Sequence, residues 1–117
     1  MTDEKIDDLK VKIRKFRDDR DWKQFHNPKD LAISIAIEAG ELLEEFQWKD
    51  KAEIEKKVAN EKHKIEDEMA DIYIYLLEMS DVLGIDLIEA AKKKMAKNEA
   101  KYPVEKAKGN AKKYTEL

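Results

Sequence analysis

Two short acidic pairs carry the strongest chemical signal in the sequence. Glu38-Ala39-Gly40-Glu41 and Glu68-Met69-Ala70-Asp71 each place two carboxylates three residues apart, a spacing that puts both on one face of a helix. Ile37 and Leu42 flank the first pair. The second opens a run from Met69 to Leu77 in which Asp71 is the one charged residue. A carboxylate among apolar neighbours is costly unless it is protonated, ion-paired or bound to a cation. Two such pairs on packed helices would converge into a cluster of hard oxygen donors, the kind of ligand set that suits Mg²⁺, with Mn²⁺ as a substitute. Gly40 points the same way. A mid-helix glycine costs about 0.5–1 kcal/mol relative to alanine, and the expected compensation is room for a close helix or a ligand.

A plainer reading stands beside the metal cluster. The chain is 44% charged, so acids three apart also arise by chance as solvated helix faces with lysine partners. Glu41 with Glu44, and Glu78 with Asp81, are read in that way. A ferritin-like di-iron site would need Glu-x-x-His pairs, and neither His26 nor His63 has a glutamate three residues before it. The absence of cysteine removes disulfides and thiolate metal sites. On spacing alone, the cluster and the solvated faces both remain open.

Aromatic and basic residues lie where they could serve such a cluster. The connector Arg20-Asp21-Trp22-Lys23-Gln24-Phe25-His26 precedes a helix start. Trp48 follows Glu41 by seven residues, and Tyr75 follows Asp71 by four, on the stripe of the second acidic pair. Together they could sandwich a nucleobase, or they could pack over one end of a helical bundle. Lys94, Lys97, Asn98, Lys101 and Tyr102 form a basic-polar group late in the chain. Lysine is a common point-charge partner for phosphate, but it also suits a helix C-terminus without any ligand.

The elements that must position these groups are all helical. Ile6, Leu9, Ile13 and Phe16 recur at steps of three and four, predicting a helix from about Glu4 to Asp19. Asn27 reads as an N-cap, with Pro28 at the first helical position and Asp30 in the first turn. This second helix is expected to run to about Trp48, with Leu31, Ile35, Leu42 and Phe46 inward and Ile33 and Ile37 widening its apolar surface. The polar stretch from Asp50 to His63 reads as a short helix or an extension of the next one. Ile65, Met69, Ile72, Leu76, Met79 and Leu83 then repeat at three and four up to Gly84, a C′ residue. Asp86 with Glu89 resembles a capping pair opening a last helix, which stops at Lys101 before Tyr102-Pro103. The fold class expected is all-α, an antiparallel four-helix bundle. Residues 1–103 would form one catalytic domain and residues 104–117 a polar, partly ordered tail.

Length and charge bound the partners. A 117-residue chain is about one domain, and one this small gains considerably from oligomerisation. A net charge of −3 gives no reason to expect polymeric nucleic acid or a membrane. No stretch approaches the roughly 20 apolar residues of a membrane span. The start, Met1-Thr2-Asp3-Glu4, lacks the basic-then-apolar pattern of a secretory signal. A cytoplasmic protein is expected.

Taken together these segments resemble the MazG-like all-α nucleoside triphosphate pyrophosphohydrolases, in particular their dCTP pyrophosphatase branch. The resemblance rests on residues 20–26, Glu38-Ala39-Gly40-Glu41-Leu42, Phe46-Gln47-Trp48, and Glu68 to Asp71 with Ile74-Tyr75-Leu76. Lys94, Asn98, Lys101-Tyr102-Pro103 and Lys113-Tyr114-Thr115-Glu116 complete the ordered set. It implies Glu38, Glu41, Glu68 and Asp71 as Mg²⁺ ligands, with Glu38 or Glu41 as the base that takes a proton from water. It further implies that Trp22, Lys23, Gln24, Phe25, His26, Trp48 and Tyr75 line the base and sugar pocket. Lys94, Asn98, Lys101 and Tyr102 would approach the phosphates, in a homodimer or homotetramer. The expected reaction converts a nucleoside triphosphate and water to the monophosphate and pyrophosphate, with dCTP or a modified deoxycytidine triphosphate as substrate. A non-enzymatic helical module that binds a nucleotide or a protein is the rival from another class. Two departures from the pattern are the unmatched charged stretch from Lys49 to Lys64 and the acid Glu45, where a hydrophobic residue is more usual.

Overall fold

A computed structural model describes residues 2–117 of the chain, with side chains from Glu4 onward; Met1, at the acidic start, lies outside the described residues. The architecture is all-α, and no strand occurs among the described residues. Two compact units divide it, one ending at Gly84 and the other comprising Ile85–Leu117.

In the first unit, α1 (Thr2–Asp19) turns Ile13 inward, where it is buried, and carries the buried Arg17 on the same side. Phe16 was expected on this apolar stripe, but it is half exposed. It meets Trp22 edge to face at 5.7 Å and lies under the Arg20 guanidinium. Asp21 then takes a left-handed φ of 55°, and its backbone and side-chain oxygens both accept from Gln24 Nε2 at 3.1 Å. That turn leads into a short 3₁₀ segment, Lys23–Phe25, and on to Asn27.

Asn27 caps α2 (Pro28–Glu44) as expected: its Oδ1 accepts from the Asp30 N–H at 2.9 Å, with Pro28 at the first position. The helix is four residues shorter than the periodicity predicts. Its end tightens into three-residue-spaced bonds, Glu45 N–H to Leu42 O and Phe46 N–H to Leu43 O, and Trp48 then adopts φ 65°. A left-handed tryptophan stops a right-handed helix. Its indole is 91% exposed.

The charged stretch that matched no pattern becomes a separate helix, α3 (Lys51–Asn60), capped by Asp50 Oδ1 accepting from the Glu53 N–H at 2.8 Å. Lys57 in α3 joins Glu45 and Glu61. The unusual acid Glu45 is thereby neutralised. One non-helical residue, Glu61, separates α3 from α4 (Lys62–Leu83). α4 ends at Gly84, whose φ of 66° is the left-handed C′ conformation expected of it.

α1, α2 and α3 all pack against α4. Leu31 of α2 and Leu77 of α4 are the most deeply buried apolar residues, 1% and 2% exposed. Arg14 fastens α1 to α4 by donating to both Asp81 carboxylate oxygens, at 2.6 and 2.7 Å. Much apolar surface stays open on this unit. Ile33 and Ile37 on α2, and Met69 and Tyr73 on α4, are each at least 42% exposed.

The second unit holds α5 (Leu87–Lys101), capped by Asp86 Oδ1 accepting from the Glu89 N–H at 3.1 Å. The polar tail, expected to be partly ordered, contains short regular segments. It forms α6 (Val104–Ala107) and a 3₁₀ turn, Tyr114–Glu116. Tyr114 packs edge to face on Tyr102 at 6.1 Å, with Lys101 Nζ 4.7 Å above its ring. Those aromatic contacts return the chain end to the end of α5.

Candidate metal centre and aromatic cleft

The site is built by two facing stripes. On α2 and its C-cap the residues Leu31, Ser34, Glu38, Glu41 and Glu45 recur at three and four; on α4 so do Glu68, Asp71, Tyr75 and Glu78. Ser34 sits beside Tyr75, and Glu41 beside Glu68. Rising numbers on one helix meet falling numbers on the other, so the pair is antiparallel.

Glu38, Glu41 and Glu68 each offer a carboxylate oxygen, and these oxygens lie within 4.8 Å of one another. Asp71, one turn further along α4, is more exposed, and its charge acts on both Glu38 and Glu68. Among the described residues, no lysine or arginine pairs with any of the four. One oxygen of Glu38 and one of Glu68 are buried with no hydrogen-bond partner. Burial first, then the neighbouring Glu41 carboxylate, pushes the Glu38 carboxyl up to about 7. The same two causes in the same order raise Glu68.

Like charges crowded this way either hold protons or hold a cation. Orphaned buried oxygens are rare in native proteins and call for a missing partner. The donor set consists of carboxylate oxygens alone, which fits a hard divalent cation such as Mg²⁺ or Mn²⁺ and disfavours softer metals. Gly40 does not contribute the close approach expected of it. A β-carbon built there meets nothing within 4 Å, so its place between the two acids is not explained by packing in this chain.

Beside the acids runs a cleft of about 380 Å³, lined by Ile13, Phe16, Trp22, His26, Asp71, Ile74, Tyr75 and Glu78 together with Lys12. His26 lies between two aromatics, 6.2 Å from the Trp22 ring and 6.5 Å from Tyr75. Trp22, His26 and Tyr75 thus come together with Asp71, as the site reading requires. Lys23, Gln24 and Phe25 do not line the cleft; Phe25 is 58% exposed and Gln24 serves the Asp21 turn. Trp48 also stands outside it. Lys94, Asn98, Lys101 and Tyr102 belong to α5 and its C-cap in the second unit, where the Tyr102 N–H donates to Asn98 O at 2.9 Å.

The pair Glu78 and Asp81 was read as a solvated face, and that reading is corrected. Asp81 is clamped by Arg14, and Glu78 is only 6% exposed, with Oε2 3.0 Å from His26 Nδ1. The signal for Glu78 lay in its register, three beyond Tyr75 and seven beyond Asp71 on the acidic stripe. Arg17, equally buried, gave no comparable signal.

Comparison with known proteins agrees in kind. Residues 33–117 match the model of the MazG-like family. The dCTP pyrophosphatase 1 of Rattus norvegicus is 37% identical over 96% of this chain and 67% of its own length. The human protein of the same name is 35% identical over the same shares. A crystal structure of a pyrophosphatase from Archaeoglobus fulgidus superimposes with a TM-score of 0.79 at 49% identity, covering 83% of this chain and 91% of that one.

Proposed function

Because this chain belongs to the MazG-like family, we propose that it is a divalent-cation-dependent pyrophosphohydrolase of nucleoside triphosphates, working in the cytoplasm. The observation that carries the reading is the cluster of Glu38, Glu41 and Glu68, two of whose oxygens are buried without a donor beside an aromatic cleft. The reaction is hydrolysis at the α-phosphorus: water forms a new P–O bond, the bond to the bridging oxygen breaks, and pyrophosphate leaves.

Glu38, Glu41, Glu68 and Asp71 would hold Mg²⁺. When bound, the ion would polarise the phosphoryl oxygens and lower the pKa of the attacking water. Glu38 or Glu41 would accept the proton that the water loses. Trp22, His26 and Tyr75 would receive the base, and the outlying Lys23, Gln24, Phe25 and Trp48 would complete the pocket. Lys94, Asn98, Lys101 and Tyr102 would meet the phosphates. The cytidine preference is supported by the names of the rat and human relatives; stacking alone would accept any base.

We place these protomers in a dimer or tetramer of four-helix bundles. Support comes from Ile33, Ile37 and Met69, each 47–57% exposed on the two site helices, since apolar patches of that kind usually meet a partner. Light scattering that returned the mass of one chain would remove the oligomer.

The activity is tested by incubating the protein with MgCl₂ and a panel of nucleoside triphosphates. Pyrophosphate and a monophosphate are expected, fastest from dCTP. Orthophosphate would mean cleavage at the outer anhydride and a different enzyme; no product would favour a binding module.

A further inference from the structure

Glu78 has no part in the chemistry above, yet it is buried in the wall of the cleft. It is 6% exposed, its Oε2 meets no well-aligned donor, and it lies on α4 two turns beyond Asp71. A buried carboxylate is expensive and needs an offset. Here the neighbours are His26 Nδ1 at 3.0 Å and the charge of Arg17 from α1. Nδ1 is itself buried, and although Oε2 is close the two are not aligned as a hydrogen bond. The His26 ring is 16% exposed, and Trp22 and Tyr75 stand beside it. Nε2 is therefore the nitrogen left for a ligand in the cleft.

We propose that Glu78 is a positioning residue for base selection: by facing Nδ1 it keeps His26 in the Nδ1–H form and leaves Nε2 as a hydrogen-bond acceptor in the cleft. This rests on the cleft receiving a nucleobase. The nitrogen that carries the proton in a neutral imidazole is set by the partner of the other nitrogen. Burial raises the Glu78 carboxyl, but once ionised it can only accept, and its charge 3.0 Å from Nδ1 favours the proton on that nitrogen. The acceptor left at Nε2 matches the exocyclic amino group of cytosine. It opposes the carbonyl that uracil carries in the same place, and two facing acceptors leave both unpaired. A cytosine preference then follows from a residue seven positions beyond a presumed metal ligand and not from stacking.

The test is the tautomer of His26, read from its side-chain ¹⁵N shifts in the nucleotide-free protein at mildly alkaline pH, together with Kd for dCMP and dUMP by titration. The wild-type protein should hold the Nδ1–H form and bind dCMP more tightly than dUMP. Glu78→Leu removes the acceptor while filling the space. It should move the proton to Nε2 and narrow the dCMP-over-dUMP ratio by about tenfold, the loss of one hydrogen bond. Glu78→Gln keeps an acceptor oxygen and should retain most of both properties. An Nε2–H form in the wild-type protein would overturn the proposal. So would a Glu78→Leu variant that loses stability but keeps tautomer and ratio, which is the behaviour of a merely structural ion pair. Neither arm depends on turnover, so absence of hydrolysis would count against the pyrophosphohydrolase reading alone.

Discussion

Glu38 on α2 and Glu68 on α4 bring carboxylate oxygens within 4.8 Å of each other, and each also buries an oxygen that finds no donor. Among the described residues no lysine or arginine offsets that arrangement. It costs stability in the free protein, and a bound cation would offset that cost, which makes it the centre from which testable consequences follow.

Removing one donor should end activity without unfolding the protein. Glu41→Gln and Asp71→Asn keep side-chain shape, and both residues are exposed, so helical circular dichroism should be nearly unchanged. Pyrophosphate release should fall by at least about a hundredfold, the usual cost of losing a group that acts mainly in the transition state. Near-normal turnover in either variant would remove that residue from the metal site.

Stability of the cation-free protein should depend on pH in a particular direction. Glu38 titrates near 7 in the fold, against an ordinary 4.5, so between those values the folded form holds more protons than the unfolded chain. The contribution of Glu38 is then full below about 4.5 and is lost as pH rises through 7. Solvent screening reduces the effect to on the order of 1 kcal/mol, a few degrees in Tm. MgCl₂ should raise Tm most at the upper end of this window, where protons no longer compete. Thermal melts across the window, with and without MgCl₂, read this directly; a Tm that climbs with pH in the cation-free protein would contradict it.

Trp48 separates binding from folding. Its indole is 91% exposed, so Trp48→Ala should leave Tm within roughly the effect of an ordinary surface change, about 0.5 kcal/mol. If the indole closes on the base, KM should rise more than kcat falls. An unchanged KM would exclude it from the pocket.

Arg14 tests the frame that holds the cleft wall. Its two bonds to Asp81 tie α1, which supplies Lys12, Ile13 and Phe16 to the cleft, against α4. The pair is partly exposed, so Arg14→Ala should cost only about 1 kcal/mol. KM should rise modestly, with the affinity for Mg²⁺ unaltered. A loss of Mg²⁺ affinity would mean that α1 supports the acids as well.

Much of this was legible in the sequence because local chemistry dictated it. Asn27 and Asp86 cap where they were expected to, Gly84 supplies the left-handed stop, and the α4 stripe gives the end of its helix, whose start at Lys62 lies three residues before Ile65. Spacing put the acids of α2 and α4 on common faces, since i and i+3 share one, but left the solvated reading open; the family resemblance is what favoured the cluster. What escaped was set by tertiary contact. A left-handed tryptophan has no sequence signature, so α2 seemed to run through Trp48. Glu78 looked like one more solvated acid because its burial comes from α1 and the His26 connector packing over it. The short regular segments of the tail gave no signal of their own, since the contact that returns the chain end is Tyr114 meeting Tyr102.

The most direct measurement is calorimetric titration of the purified protein with MgCl₂ at neutral pH. Saturable binding with release of protons is expected, the protons coming from Glu38, which is held up to about 7, and both the binding and the release should disappear in Glu38→Gln. A titration with no saturable heat, or one that Glu38→Gln leaves unchanged, would contradict the assignment of these carboxylates to a metal ion.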